Sequence, residues 1–535
     1  AAEPMTSRPL GSGGLSLQNP ATWAAFGGSG GIARPLIDPL EHDAEDPNPN
    51  DGVVRNALGT FKGVFLPVMF SIFGVVLYTR WGWVIGSTGV LASFGILALG
   101  ESVSILTTMS LSALSTNGKV KGGGSYFLIS RSLGPEFGGS LGVIFYLANI
   151  LNNAQYLAVI AGYIAQLSHL SDYMENEYLA LVGFRSGVLL VAAAICYIGA
   201  DAYSKSLSVV LVVYAASNIL GVLSFFIPHD VSLPPGQEFS GPSFEHFKKN
   251  LYPSFGGFGQ CPGNDPGPTE FWAVFAVAFN GMTGINAGAN LSGDLANPGE
   301  SIPKGTFGGL LLSIAIYIIA VFGMASSTNG EALRCNYQIM GDVCMWPPLV
   351  WTGILVSMFA ATLSSIIGAA RILQALARDS IFPPLHIFAR GSVKGDEPRN
   401  GVLLSWFLTQ CLVFVPSLNL VATITSFFFL LSYAVTNFAC FLHSVTGAPN
   451  FRPSYRFYSW LSALVGGVVS VAIMFLIQPI YAFLSIFFFL ILFLFIHWLN
   501  PAVTDWGDVT QAVIFHQVRK YLLRLDKGRD HVKYW

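Results

Sequence analysis

Phe279 to Leu295 reads Phe-Asn-Gly-Met-Thr-Gly-Ile-Asn-Ala-Gly-Ala-Asn-Leu-Ser-Gly-Asp-Leu and follows directly on an apolar run from Phe271 to Phe279. An intact membrane helix does not set glycines this dense beside Asn280, Thr283, Asn286 and Asn290. The pattern suits a helix that stops in mid-bilayer and leaves bare N–H and C=O groups, which lipid cannot satisfy and a bound ion can. Close helix packing accounts for glycine alone, but it does not call for Asn, Thr and Asp next to it. The chemistry implied is ion binding, and with it ion transport.

Lys62 to Tyr78 carries Pro67, Ser71 and Gly74 around its middle, a weaker form of the same signal. These two stretches are the first and sixth of the chain's apolar spans, equivalent first helices of two five-helix halves. That is the arrangement of inverted-repeat transporters, whose substrate lies between two unwound segments. In the third span, Asn149, Asn152, Asn153 and Tyr156 share one helical face. They either line a wet cavity or bond to neighbouring helices, and Tyr156 can offer an oxygen to a cation. Glu101 is the acid inside span two; a functional role and a structural pairing fit it equally, so it stays outside the expected site. Ser364 and Ser365 in span eight can both reach a small hard cation beside a broken helix. On spacing alone, bonding back to their own helix carbonyls is favoured.

The elements that must position these residues are membrane helices. The chain has 535 residues, 53% of them hydrophobic and 10% charged, with mean hydropathy +0.57, too apolar for a soluble protein of this size. A spanning helix needs about 20 apolar residues. Twelve stretches qualify, near 62–86, 89–113, 137–167, 183–200, 206–227, 271–293, 306–326, 347–370, 401–417, 420–443, 458–478 and 480–499. With the N-terminus inside, the inner loops hold most of the basic residues, whereas the outer side has only Arg80, Arg185, Lys248, Lys249 and Arg334. Both termini are then cytosolic, and two long outer loops remain, 228–270 and 327–346. A net charge of −2 without a basic arm excludes nucleic acid as a partner. Cys335 and Cys344 share an outer loop and can pair with each other or with Cys261, a choice that spacing leaves open. Cys196, Cys411 and Cys440 read as small buried apolar residues. Residues 1–58 read as a largely disordered cytosolic tail, 59–499 as the transmembrane domain and 500–535 as the start of a cytosolic C-terminal region.

Thr116-Asn117-Gly118 with Gly122 to Gly139, and Thr283-Gly284 with Ala287 to Asn290 and Ser292 to Leu295, resemble the first intracellular loop and the sixth helix of the cation-chloride cotransporters, solute carrier family 12. The resemblance runs from Gly59 to Trp535. Ala448 to Pro453 and Trp506 to Lys533 look most like a branch of that family described as interacting with other cotransporters.

The resemblance implies a potassium site made of the carbonyls around Ser71 and Ile72, the Tyr156 hydroxyl, the Asn280 carbonyl and the Thr283 hydroxyl. Ser71 stands where ion-transporting members have Asn, and Asn280 where they have Pro. It implies chloride on backbone N–H groups at the resumed half-helices, Gly74, Val75 and Val76 for one site and Gly284, Ile285 and Asn286 with the Tyr433 hydroxyl for another; helix N-termini favour anions. Sodium-dependent members carry serines matching Ser364 and Ser365, with Ala361 and a carbonyl near Phe70 alongside. No cofactor and no metal beyond alkali ions is implied. A homodimer, association with other membrane proteins, and membrane lipid are the partners.

The expectation is therefore an all-α integral membrane protein of twelve helices, a five-plus-five inverted repeat with helices one and six broken. It would work by alternating access as a secondary-active symporter of chloride with potassium or ammonium, and sodium as a further candidate. No nucleotide motif or catalytic constellation appears, so an enzyme is not expected. One alternative is an amino acid or polyamine carrier of the same fold, which the scarcity of glycine from Pro67 to Gly74 disfavours. The other is a non-transporting assembly subunit, which Ser71 and Asn280 permit.

Overall fold

A computed structural model describes residues 58–73, 75–118, 120, 122–167, 177–255, 270–392, 396–414, 418–446, 451–499 and 509–524. The chain divides into Ala1–Gly52 and Val53–Trp535, and every described residue belongs to the second unit. The expected tail, all but Leu58, therefore lies outside the described residues.

After a π-helical turn, Phe61–Phe65, come α1 (Leu66–Ile72) and α2 (Val75–Thr79). Pro67 occupies the first turn of α1, where its missing N–H costs little, and α1 stops at Phe73 with φ −78° and ψ 25°. Then follow α3 (Trp81–Ser115), α4 (Gly124–Leu133), α5 (Pro135–Leu167), α6 (Glu177–Ile198), α7 (Ala200–Ser224) and the short α8 (Phe244–Lys249). The next pieces are α9 (Phe271–Asn280), α10 (Ala287–Asn290) and a 3₁₀ turn, Ser292–Asp294. The remainder comprises α11 (Pro298–Ser327), α12 (Gly330–Cys335), α13 (Ile339–Asp342), α14 (Pro347–Arg378), α15 (Arg399–Val413), α16 (Leu418–Thr446), α17 (Trp460–Ile477), α18 (Pro479–Leu499) and α19 (Val509–Arg524). No strand is described.

Ten helical stretches among the described residues are long and apolar enough to cross a membrane, with Phe61–Thr79, which takes in α1 and α2, counted as one. Two of the twelve expected stretches do not reach that length: 271–293 is reduced to the ten residues of α9, because the backbone leaves the helix at Gly281, and 401–417 to the fifteen of α15. The expected division between 86 and 89 falls inside α3, which kinks at Gly89 with φ +69°. A side chain there would meet the Tyr252 carbonyl.

Helix α14 runs through the middle, packed on α5, α7, α15 and α6, and α5 packs in turn on α16, α18 and α4. Along its apolar stretch α14 is 83% buried, whereas α18 is 22% buried and turns Phe483, Phe487, Leu494 and Trp498 outward. Such a surface suits hydrocarbon and not water. The chain is a multi-pass integral membrane protein.

Three short helices, α8, α12 and α13, occupy what the sequence reads as long outer loops. Asn329 caps α12 by accepting the Ala332 N–H at 3.0 Å. Cys335 is disulfide-bonded and Cys344 is a free thiol, so the two do not pair with each other; Cys261 lies outside the described residues. Cys411 is exposed rather than buried, on a face of α15 that carries Leu403 and Phe407, also exposed.

One end of the bundle is held by buried charge. Arg371 of α14 donates through Nη2 to Asp294 Oδ1 at 2.8 Å and Glu397 Oε2 at 3.0 Å, and through Nη1 to the Asp396 carbonyl at 2.6 Å. All three side chains are 6–7% exposed. Burial pushes the Asp294 carboxyl up to about 6, against the pull of Arg371. An acid raised on folding binds its proton more tightly in the folded chain, so its contribution to stability declines as pH rises from about 3.9 through the folded value. Arg371→Met takes away the guanidinium that bonds both buried carboxylates, a loss of about 3–5 kcal/mol. Thermal unfolding of the purified protein should show a clear drop for Arg371→Met, with most of it recovered when Asp294→Asn and Glu397→Gln are added. An unchanged midpoint in the single variant would mean that this network does not hold the bundle.

Candidate functional site

Where α9 ends, the chain turns sharply: the Gly281 N–H reaches the Ala278 carbonyl at 3.0 Å and the Met282 N–H the Phe279 carbonyl at 2.8 Å. Helix resumes only at Ala287, whose N–H bonds to the Gly284 carbonyl at 2.9 Å. Gly284 has φ +116°, and any Cβ there would overlap Ser71 of α1. Glycine is thus required at 284 on two grounds, its left-handed backbone and the approach of α1. The ends of the two interrupted stretches touch at this point.

The groups freed by the interruptions find partners on three other helices, α11, α16 and α3. Tyr317 of α11, fully buried, donates to the Gly281 carbonyl at 3.0 Å and lies 3.4 Å from the Ile72 carbonyl. One hydroxyl therefore serves both interruptions. Tyr433 of α16, also fully buried, accepts the Gly284 N–H at 3.1 Å, and the Ile285 N–H also bonds to it. Asn437 fixes that part of α16: its Nδ2 donates to Thr107 Oγ1 at 2.8 Å and its Oδ1 accepts from Ser110 at 2.7 Å, both on α3. Ser104 of α3 donates to the Met282 carbonyl at 3.2 Å.

Of the expected cation ligands, Thr283 Oγ1 donates to the Asn280 carbonyl at 2.8 Å. The Tyr156 hydroxyl accepts from Asn152 Nδ2 at 2.9 Å and also bonds with the Ser71 side chain. Ser71, Asn149, Asn152, Gly284, Asn290, Ser364 and Ser365 line one cavity, with the rings of Phe145 and Phe429. One expected cation residue, one expected anion residue and both serines therefore border the same space. Asn290 Oδ1 is buried without a hydrogen-bond partner.

The lining of this cavity does not include the other expected residues. Asn286 turns its Nδ2 to Ser432 Oγ at 3.3 Å, and its Oδ1 has no partner. Val76 and Ile285 are buried, with Val76 against Gly281. Val75 begins α2, and Gly74 lies outside the described residues. Phe70 packs edge-on against Tyr214, ring centroids 5.0 Å apart, and Ala361 is buried. Ser364 bonds back to the Ala360 carbonyl at 3.0 Å and meets the Tyr203 hydroxyl at 2.9 Å.

Tyr317, Asn437 and Tyr203 are the side chains that sequence reasoning passed over. Tyr317 carried a usable signal, a phenol in the run Ser313-Ile314-Ala315-Ile316-Tyr317-Ile318-Ile319, where a buried hydroxyl must find a partner. The Asn437 and Tyr203 pairings join residues 161 to 330 positions apart, and no local pattern announces them.

The amino acid permease family matches the chain over residues 63–535. Solute carrier family 12 member 9 of Xenopus laevis is 38% identical over 524 residues, 95% of this chain and 57% of the relative. Vacuolar cation-chloride cotransporter 1 of Saccharomyces cerevisiae is 35% identical over 515 residues, 94% of this chain and 44% of the relative. Solute carrier family 12 member 2 of Mus musculus is 33% identical over 522 residues, 90% and 42% respectively. The chain spans about half the length of these curated relatives. The chain belongs to the amino acid permease family and to solute carrier family 12, the cation-chloride cotransporters.

Proposed function

We propose that the chain is a secondary-active symporter moving chloride together with a monovalent cation, potassium or ammonium, by alternating access. In this reading residues 59–499 form twelve spanning helices, a five-plus-five inverted repeat in which the first and sixth spans are broken at 73–75 and 281–286. The observation that carries it is the meeting of Gly284 with Ser71 beside a cavity, where backbone N–H groups and carbonyls lie clear of their own helices. Chloride would take the place of the Tyr433 oxygen as acceptor of the Gly284 and Ile285 N–H groups, the phenol turning to donate to it. A cation would replace protein donors at the Asn280 carbonyl, Thr283 and Tyr156, where several oxygens can gather. No covalent chemistry is required, which fits a carrier and not an enzyme.

A second reading, an assembly subunit that moves nothing, draws on one feature. Several candidate groups are already bonded within the protein: Gly284 N–H to Tyr433, Asn280 carbonyl to Thr283, Ser364 to Ala360. A closed transporter and a permanently closed relative share that feature, so flux separates them. The full chain in vesicles should move chloride in the presence of potassium or ammonium. No movement above background in any cation would replace the symporter with the subunit.

Two variants test the ligands. A hydrogen bond to an ion is worth roughly 1.5–3 kcal/mol, so Tyr433→Phe should weaken apparent chloride affinity by about tenfold or more; unchanged affinity would remove Tyr433 from the site. Tyr156→Phe should weaken cation dependence at normal membrane expression, and potassium and ammonium curves identical to the parent would exclude it. If Ser364 and Ser365 give up bonds such as those of Ser364 to Ala360 and Tyr203 to hold sodium, chloride flux should depend on external sodium and the Ser364→Ala, Ser365→Ala pair should lose that dependence. Flux indifferent to sodium in the parent would leave the serines a structural role.

A further inference from the structure

Glu101 lies on α3, which packs on α9, α11 and α16 around the interruption after α9. It is 3% exposed, and both carboxyl oxygens are buried without a hydrogen-bond partner. The adjoining Gly100 packs against Phe279 and Met282, and the carboxyl interacts electrostatically with the Tyr317 and Tyr433 hydroxyls, the two that hold the freed backbone groups. Other titratable groups on the neighbouring helices are committed elsewhere. Tyr78 of α2 is bonded to Asn218, Arg334 of α12 to the Gly86 carbonyl, and Glu331 of α12 stands by Gly236. Arg131 of α4 pairs with Asp379, Tyr126 of α4 bonds to that same Asp379, and Glu300 of α11 pairs with Lys304. On α16, His443 stacks on Phe451 and Cys440 lies by Ser110 and Ser444. Helices α9 and α17 carry no titratable side chain.

Among the described residues no counter-charge faces this carboxylate, and burying it alone is expensive. An anion on the Gly284 and Ile285 N–H groups would add a second negative charge to the same dry interior. Like charges in low dielectric do not coexist; one of them is neutralised.

We propose that Glu101 is a proton-binding site linked to anion binding at Gly284 and Tyr433. The carboxyl keeps its proton while the anion is held. When the pocket opens and the anion leaves, the carboxyl O–H bond breaks, the proton passes to water, and the electron pair stays on the carboxylate. Proton and anion then bind together, while a cation at the same interruption competes with the proton. The proposal rests on the chloride reading above.

The test uses the purified full chain in detergent, with sodium chloride at fixed ionic strength as the probe and chloride-dependent thermal stabilisation as the readout. Parent protein should bind chloride more tightly as pH falls, by up to about tenfold per pH unit for one linked proton. Glu101→Gln, a permanent neutral carboxyl mimic, should keep tight binding and lose the pH slope, while Glu101→Asp should keep a slope at a displaced pH. Infrared difference spectra of the parent on adding chloride should show growth of a protonated-carboxyl C=O stretch that shifts in Glu101→Asp. A wild-type pH slope in Glu101→Gln, or no carboxyl band responding to chloride in the parent, overturns the inference while leaving the anion site standing. No chloride response in the parent at any pH overturns the anion site and this linkage with it.

Discussion

A peptide N–H or C=O that leaves its helix in an apolar interior must find another partner, since neither hydrocarbon nor packed side chains can supply one. Helix α9 stops at Asn280 and regular helix does not resume until Ala287, so a run of backbone groups is set free where the surroundings are driest. Tyr317, Tyr433, Ser104 and Thr283 supply the partners. Much of the surrounding packing follows from this need. Helices α3, α11 and α16 each approach the interruption closely enough to deliver one hydroxyl, and Gly284 allows α1 to come up on the remaining side.

Those partners are also what makes the interruption usable. A hydroxyl both donates and accepts, so it can satisfy a peptide group in the closed protein and turn to an ion when one arrives. A fixed lysine at the same place would hold an anion but could not release the site to a closed state as readily. Tyr317 adds a coupling of another kind, because its single hydroxyl proton stands near the carbonyls of both interruptions. A change at Ile72 is therefore felt at Gly281. At one end of the bundle, Arg371 joins the segment after α10 to α14 and to the start of α15, so movement of the sixth stretch must work against, or with, that buried ion cluster.

Sequence patterning located the helices well wherever they are long and uniformly apolar, and the dense glycine and asparagine after Phe279 mark the stretch where α9 ends at Asn280. It read poorly where the determinant is contact between distant segments. The glycine-rich segment from Gly122 resolves into α4, whose ten residues give too short a period to read. The pairing of Cys335 could not be chosen from loop spacing, and the hydroxyl partners of the freed backbone come from residues remote in sequence. The asparagine stripe of α5 illustrates the boundary. Its shared face was legible, but whether that face met a cavity or a neighbour was not: Asn149 and Asn152 border the cavity, while Asn153 is buried with neither amide atom bonded.

The central claim is that the backbone freed after α9 is an ion site and not only a kink held by tyrosines. The most direct measurement is an anomalous-scattering map of the full chain crystallised in bromide. The account predicts a bromide peak beside the Gly284 and Ile285 N–H groups, with the Tyr433 hydroxyl turned toward the ion and no longer accepting from Gly284. No peak at either interruption in saturating bromide, with Tyr433 still bonded to the Gly284 N–H, would contradict it.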